Sequence, residues 1–151
     1  MKGSCLCGGI LFEINEIVGP FELCHCTRCR KATGSAYAAF LEVKTDGFRI
    51  LEGRELFKVY QAPIFEKPPC YENWFCIKCG SRVPDPNPEG KLMEVPAGLF
   101  DEPIHVVPDK HIYVDLKSDW DEIDRVIPKF TKDEIRTFRE KHGRAAIQQG
   151  A

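Results

Sequence analysis

Seven of the eight cysteines of this 151-residue chain fall into three short clusters, Cys5-x-Cys7, Cys24-x-Cys26-x-x-Cys29 and Cys76-x-x-Cys79. Groups of two, three and two do not divide into pairs, so a framework of disulfides accounts for them poorly. Thiolates at such spacings hold metal ions. A zinc ion that only supports structure takes four sulfur or imidazole ligands, whereas one that does chemistry takes three from the protein and keeps a position open. Seven cysteines divide as four plus three, which predicts one closed structural site and one open reactive site.

The rest of the composition agrees with a folded, water-borne domain in a reducing compartment. Hydrophobic residues make up 43% and charged ones 29%, ordinary usage for a globular protein. A chain of this length suits one domain that buries roughly two thirds of its unfolded surface. The formal charge of −2 supplies no broad basic field, which disfavours a nucleic-acid partner. The opening Met1-Lys-Gly-Ser-Cys5 lacks an apolar export segment, and no apolar run is long enough to span a bilayer. The expected location is therefore the cytoplasm, where thiols stay reduced or bind metal, and no membrane partner is expected.

The pattern along the chain is mainly β. Gly8 to Ile14 and Ser35 to Val43 read as strands. Phe48–Leu51 and Leu56–Tyr60 read as two more, with Glu52-Gly53-Arg54 as the turn of a hairpin between them. Leu92–Val95 and His111–Leu116 add short segments, the last alternating Ile112, Val114 and Leu116 against Tyr113 and Asp115. Pro84 to Gly90, with three prolines, reads as an exposed loop. Thr131-Lys-Asp-Glu134 has the spacing of a capping box, and Ile135, Phe138, Ala145 and Ile147 fall roughly on one face of the helix it would start, with Gly143 placed to end or weaken it. The expected organisation is a zinc-bound domain over 1–130, with a C-terminal helical segment over 131–151 packed on it or extending from it.

The clusters differ in what their spacing permits. In Cys76-Ile-Lys-Cys79-Gly80 two intervening residues let a tight turn aim both sulfurs at one ion, and the glycine supplies the permissive backbone. Cys5 and Cys7, as i and i+2 of an extended segment, would point to one side. Together these four complete a closed site. Cys24, Cys26 and Cys29 are three sulfurs in six positions, and the fourth position there could be water, His25, Cys70, His105 or His111. Arg28, Arg30 and Lys31 stand beside them, where cations would lower thiol pKa values and attract an anionic ligand. His25, between two ligands, is expected to point away from the metal as a supporting group. Cys70 has no partner spacing and reads as a plain thiol.

The motifs Gly3-Ser-Cys-Leu-Cys-Gly8, Cys24-His-Cys-Thr-Arg-Cys-Arg-Lys-Ala-Thr-Gly34 and Phe75-Cys-Ile-Lys-Cys-Gly-Ser81, followed by Val95-Pro-Ala-Gly98, Pro108-Asp-Lys-His-Ile-Tyr-Val114, Trp120-Asp-Glu-Ile123 and Ile127-Pro-Lys-Phe130, resemble the glutathione-dependent formaldehyde-activating enzyme family, which includes the centromere protein V group. The resemblance covers residues 3 to about 130. It implies a β-tent fold of mostly antiparallel strands holding two zinc ions per chain. It implies a structural zinc on Cys5, Cys7, Cys76 and Cys79 and a catalytic zinc on Cys24, Cys26 and Cys29.

The activity it implies is that of a carbon–sulfur lyase joining a small thiol, glutathione, to a small aldehyde, formaldehyde, to give S-hydroxymethylglutathione. Glu72-Asn73-Trp74 replace the basic residues that often precede the third motif in the family. Water, His25 or the hydroxyl of Thr27, Thr33 or Ser35 could act as the acid. The competing expectation is a non-catalytic zinc-stabilised interaction module like centromere protein V; the mixed charge of Arg136, Arg139, Lys141 and Arg144 with Glu134 and Glu140 reads as a solvated helix face and lends it no support.

Overall fold

The computed structural model describes residues 1–63, 70–123 and 126–144. The chain is mainly β, and the described residues form ten strands and two α-helices: β1 (Lys2–Ser4), β2 (Leu11–Glu13), β3 (Ile17–Cys24), α1 (Thr27–Thr33), β4 (Ala38–Lys44), β5 (Arg49–Glu52), β6 (Phe57–Gln61), β7 (Glu72–Cys76), β8 (Leu92–Pro96), β9 (Lys110–Ile112), β10 (Lys129–Phe130) and α2 (Lys132–His142). They form two compact units, one of Met1–Ile17 with Val43–Ile104 and one of Val18–Glu42 with His105–Ala151. Among the described residues no helix is long and apolar enough to cross a membrane.

In the first unit, β2 pairs antiparallel with both β1 and β5, and β6 pairs antiparallel with β7. Phe12, Ile14, Val43, Met93 and Val95 form one buried cluster, with Phe48 and Phe100 packed against it. Phe12 is wholly buried, its ring 5.8 Å from that of Phe48 and 6.0 Å from that of Phe100.

The expected hairpin at Glu52-Gly53-Arg54 does not form, since β5 pairs with β2 and β6 with β7. Gly53 is left-handed (φ 75°) and starts a short 3-10 turn, Arg54–Leu56, that separates the two strands. A Cβ at Gly53 would lie 1.9 Å from the carbonyl oxygen of Gly9, so this backbone approach requires glycine. The strand expected over Gly8–Ile14 shortens to Leu11–Glu13, because the residues before it are spent on a cysteine turn described below.

The second unit carries a sheet in the order β10-β9-β3-β4. Here β9 runs parallel to both β3 and β10. Its register pairs Leu23 with His111 and Cys24 with Ile112. Strand alternation therefore splits the residues between two faces. Cys24, Ala38, Phe40 and Ile112 lie in one buried cluster with Cys29 of α1 and Ile135 of α2, and Phe130 and Phe138 pack against it. Leu23, His25 and His111 fall on the other face.

The expected strand over His111–Leu116 stops at Ile112. Tyr113 is left-handed (φ 59°, ψ 41°), and Val114–Leu116 is a 3-10 turn closed by a hydrogen bond from the Leu116 amide to the Tyr113 carbonyl, 3.0 Å. Of the alternating apolar residues there, Ile112 lies in β9 and Val114 and Leu116 in the turn.

Helix α2 starts as the sequence predicts. The Thr131 hydroxyl accepts from the Glu134 amide at 3.3 Å, and the Glu134 carboxylate accepts from the Thr131 amide at 2.7 Å. Gly143 ends it, donating its N–H to the Arg139 carbonyl at 2.8 Å. Ile135 and Phe138 face the core, whereas Ala145 and Ile147 lie outside the described residues.

A buried ionic network ties α2 to the sheet. Lys110, 1% exposed, contacts Asp109 at 2.6 Å and Glu22 at 3.8 Å, and Glu22 also accepts from Arg139 at 2.7 Å and Arg144 at 3.2 Å.

Glu22 keeps Arg139 and Arg144 when Lys110 is removed, but Asp109 loses the cation 2.6 Å away and is left buried without it. Lys110→Met should cost about 3–5 kcal/mol in urea-induced unfolding, against about 1 kcal/mol for loss of the cap in Thr131→Ala. Comparable small losses in both variants would show that the network adds little. Hydrogen bonds from Thr131 hold the Glu134 carboxyl below its usual range, so the cap is intact at neutral pH and its contribution is lost as pH falls below that range and through the lowered value.

Candidate metal centres

Among the described residues, two groups bring their ligand atoms within 4.8 Å of one another: Cys5, Cys7, Cys76 and Cys79 in the first unit, and Cys24, Cys26 and Cys29 in the second. All eight cysteines are free of disulfides. The two groups are those the spacing predicted, but the local geometry that builds each is partly different.

Cys5-Leu6-Cys7 is a turn rather than an extended segment. The Gly8 amide donates to the Cys5 carbonyl at 2.8 Å and the Cys5 amide to the Ile10 carbonyl at 3.1 Å. The Ile10 amide also donates to the Cys5 sulfur at 3.3 Å. The second pair is built alike: the Gly80 amide donates to the Cys76 carbonyl at 2.8 Å, and the Cys76 amide to the Ser81 carbonyl at 2.9 Å. Ser81 links the two turns, its hydroxyl accepting from the Leu6 amide at 3.0 Å and lying 3.3 Å from the Cys79 sulfur.

The Cys5 and Cys7 sulfurs are 3.5 Å apart and those of Cys7 and Cys76 3.9 Å. Four sulfurs each about 2.3 Å from a tetrahedral zinc lie about 3.8 Å from one another, so this donor set fits such an ion.

Four sulfurs this close cannot all ionise without a cation, and their protons redistribute. The Ser81 hydroxyl and neighbouring amides pull Cys79 down to about 6. Cys7 is pushed up to about 11: the Gly9 amide acts to lower it, but the thiols of Cys5, Cys79 and Cys76 and partial desolvation prevail.

In the second unit Cys24 ends β3, Cys26 is the N-cap of α1 and Cys29 lies in that helix's first turn. The Cys29 amide donates to the Cys26 sulfur at 3.4 Å. Cys24 and Cys29 are buried, while Cys26 is half-buried. The helix was not foreseen over so cysteine-rich a stretch; its sequence signal is Gly34, which takes the left-handed C-cap (φ 62°) and donates to the Arg30 carbonyl.

The thiols of Cys24 and Cys29 donate to Cys26 and, with the amides of Cys29 and Arg28, hold it well below the usual thiol range. Cys24 is correspondingly pushed far up by its bonds to Cys26 and Cys29 and by burial. The negative charge of the cluster thus rests on its most accessible sulfur. The basic neighbours contribute less than expected: Arg30 is committed to the His25 carbonyl at 3.3 Å and the Ser118 hydroxyl at 2.7 Å.

The other candidate residues lie outside the three-sulfur cluster. Thr33 donates to the Cys29 carbonyl at 2.9 Å, bracing the helix. Cys70 is half-buried and belongs to neither sulfur group. The His25 ring is wholly buried on the face of β3 opposite Cys24, with Nε2 2.8 Å from His111 Nδ1 and Nδ1 3.1 Å from Asp121 Oδ2. Burial pushes the His25 imidazole down, against the pull of Asp121. His25, His111, Asp121 and Tyr37 line a cavity of about 490 Å³ on that face.

Tyr113 is the residue near the sulfurs that sequence reasoning passed over. It packs against the cluster that includes Cys24 and Cys29 and holds a backbone conformation that costs a bulky side chain energy. Its phenol is pushed up by burial, with Arg139 opposing and the Cys26 charge reinforcing. It therefore remains a protonated hydrogen-bond donor.

The charge assignment predicts a reactivity. In metal-free protein iodoacetamide should label Cys26 ahead of Cys24 and Cys29, read by peptide mass spectrometry. The rate should stay nearly flat from about pH 8 to about pH 6, where an ordinary thiol slows about tenfold per pH unit. An ordinary slope, or first labelling at Cys24, would contradict it.

With this geometry in view, the comparisons with known proteins are consistent. The family model for the glutathione-dependent formaldehyde-activating enzyme matches residues 1–116. A protein of Halomonas elongata, which carries a provisional name as a glutathione-dependent formaldehyde-activating enzyme, is 32% identical over 161 residues, covering 99% of each chain. The crystal structure of a Rhodobacter sphaeroides protein is similar in fold, with a TM-score of 0.51 at 21% identity, covering 85% of this chain and 99% of that one. The chain belongs to the glutathione-dependent formaldehyde-activating enzyme family.

Proposed function

We propose that the chain is a carbon–sulfur lyase-type enzyme of the cytoplasm that adds a small thiol, glutathione by family, to a small aldehyde such as formaldehyde. In this reading zinc is held for structure by Cys5, Cys7, Cys76 and Cys79 and for chemistry by Cys24, Cys26 and Cys29. The observation that carries it is the contrast between a complete four-sulfur set and a three-sulfur set whose half-buried member is the anionic Cys26. Four protein sulfurs complete a tetrahedral shell, whereas three leave one position for an incoming ligand.

A zinc ion with one open position supplies a Lewis acid that favours the ionised form of an arriving thiol. The chain's own part is to hold and orient. Cys24 and Cys29 are fixed by burial in the cluster beneath α2, and Cys26 by the amide of Cys29. Exposed Lys31 favours the approach of an anionic thiol. Tyr113 keeps its proton beside the sulfurs and can donate a hydrogen bond to an oxygen that gains negative charge.

The overall change balances without a redox partner. The thiol sulfur attacks the carbonyl carbon, a C–S bond forms, the C=O π pair moves to oxygen, and the proton lost by the thiol ends on that oxygen.

The test combines native mass spectrometry with exchange NMR on ¹³C-formaldehyde and glutathione. Two zinc ions per chain and faster S-hydroxymethylglutathione formation are expected, with the acceleration lost and one zinc retained in Cys26→Ser. Formation at the uncatalysed rate with wild-type protein, or an unchanged rate in Cys26→Ser, would favour a non-catalytic zinc-stabilised module instead.

A further inference from the structure

We propose that Asp121, His25 and His111 form a positioning chain that aims the Cys24 and Cys26 sulfurs from the opposite face of the sheet. The proposal deepens the reading above: it rests on the three-sulfur cluster holding a metal ion, and not on which thiol or aldehyde is used.

His25 is the only residue between Cys24 and Cys26, so the two peptide planes that flank it set the direction of both side chains. Three of the four polar atoms of His25 are hydrogen-bonded, and the fourth, Nδ1, lies at ion-pair distance from a carboxylate. Its amide donates to the Ile112 carbonyl at 3.0 Å, and its carbonyl accepts from Arg30 Nε at 3.3 Å. Its Nδ1 faces Asp121 Oδ2 at 3.1 Å, and its Nε2 meets His111 Nδ1 at 2.8 Å. With the ring fully buried, rotation of residue 25 would break several of these contacts together.

The chain has a direction. The Asp121 carboxylate favours a proton on His25 Nδ1, which leaves Nε2 to accept from the Nδ1–H of His111. This fixes the orientation of the ring. His111 is itself tied to the site, because its neighbour Ile112 pairs with Cys24 and packs in the same buried cluster. The main-chain and side-chain anchors of residue 25 thus converge on one strand end. Groups that orient the holders of a metal are commonly worth about 10- to 100-fold in affinity, and a displacement of even about 0.5 Å degrades such a site.

The experiment uses cobalt(II) as the probe in the full chain, with the four-sulfur centre as an internal reference. Wild-type protein, Asp121→Asn and His25→Ala are titrated against a chromophoric chelator while the cobalt–thiolate absorption is recorded.

Both variants are expected to weaken the three-sulfur centre by about 10- to 100-fold and to alter its visible bands, with the four-sulfur centre unchanged. His25→Ala opens space continuous with the cavity of about 490 Å³ that His25 lines, so added imidazole should restore its affinity and spectrum, but not those of Asp121→Asn. A purely structural role would not yield that spectroscopic change and selective rescue. If His25→Ala does not fold, Asp121→Asn decides, its side chain being slightly exposed. Unchanged affinity and spectrum at the three-sulfur centre in folded Asp121→Asn would overturn the proposal. Wild-type protein that binds one cobalt would instead overturn the two-metal reading on which it rests.

Discussion

Sulfurs held within 4.8 Å of one another cannot all carry negative charge unless a cation shares the space, and this constraint organises each unit. In the metal-free geometry the charge settles unevenly: Cys79 is pulled down and Cys7 pushed up in one group, Cys26 pulled down and Cys24 pushed up in the other. A soft divalent ion would relieve this frustration in both groups. In the first unit it would also join two turns that stand 69 residues apart in the chain, adding a long-range link within the apolar cluster that Ile10, Leu56 and Val83 form around Cys5 and Cys76, with Phe57, Trp74 and Leu99 packed against it.

The second unit solves a different problem, that of keeping three sulfurs close while leaving one of them within reach. The end of β3 and the start of α1 supply the close approach. Burial beneath Ile135 and Phe138 of α2 keeps Cys24 and Cys29 in place, and the charge network of Glu22, Lys110 and Arg139 fixes α2 above them. The same strand presents Cys24 to one face and His25 to the other, so one segment serves the sulfur cluster and the polar chain behind it. Tyr113 stores backbone strain beside the sulfurs, in keeping with the concentration of such strain at functional sites.

Each short cluster of cysteines was legible because it is local, whereas the meeting of Cys7 with Cys76 spans 69 residues. Spacings of two and three residues limit where neighbouring sulfurs can point, whatever the rest of the chain does. The capping box at Thr131 and Glu134 was legible for the same reason. Long-range strand pairing is not legible in this way. Phe48–Leu51 and Leu56–Tyr60 looked like a hairpin, yet their hydrogen-bond partners are β2 and β7, which no turn motif at Gly53 announces. The Cys5–Cys7 segment was expected to be extended, but backbone hydrogen bonds to the Cys5 and Ile10 carbonyls fold it into a turn.

The sequence by itself determined the sulfur inventory and its three short clusters, the mainly β character and the capped C-terminal helix, because each follows from residue type and short-range spacing. Tertiary structure alone decided which sulfur of the three is accessible and bears the charge, that Tyr113 stands beside them, and that His25 meets His111 and Asp121. Those facts depend on strand register and on residues 86 apart in the chain being brought to 2.8 Å. Pairing free energy between distant strands comes from packing and burial across the whole sheet, and no local pattern encodes it.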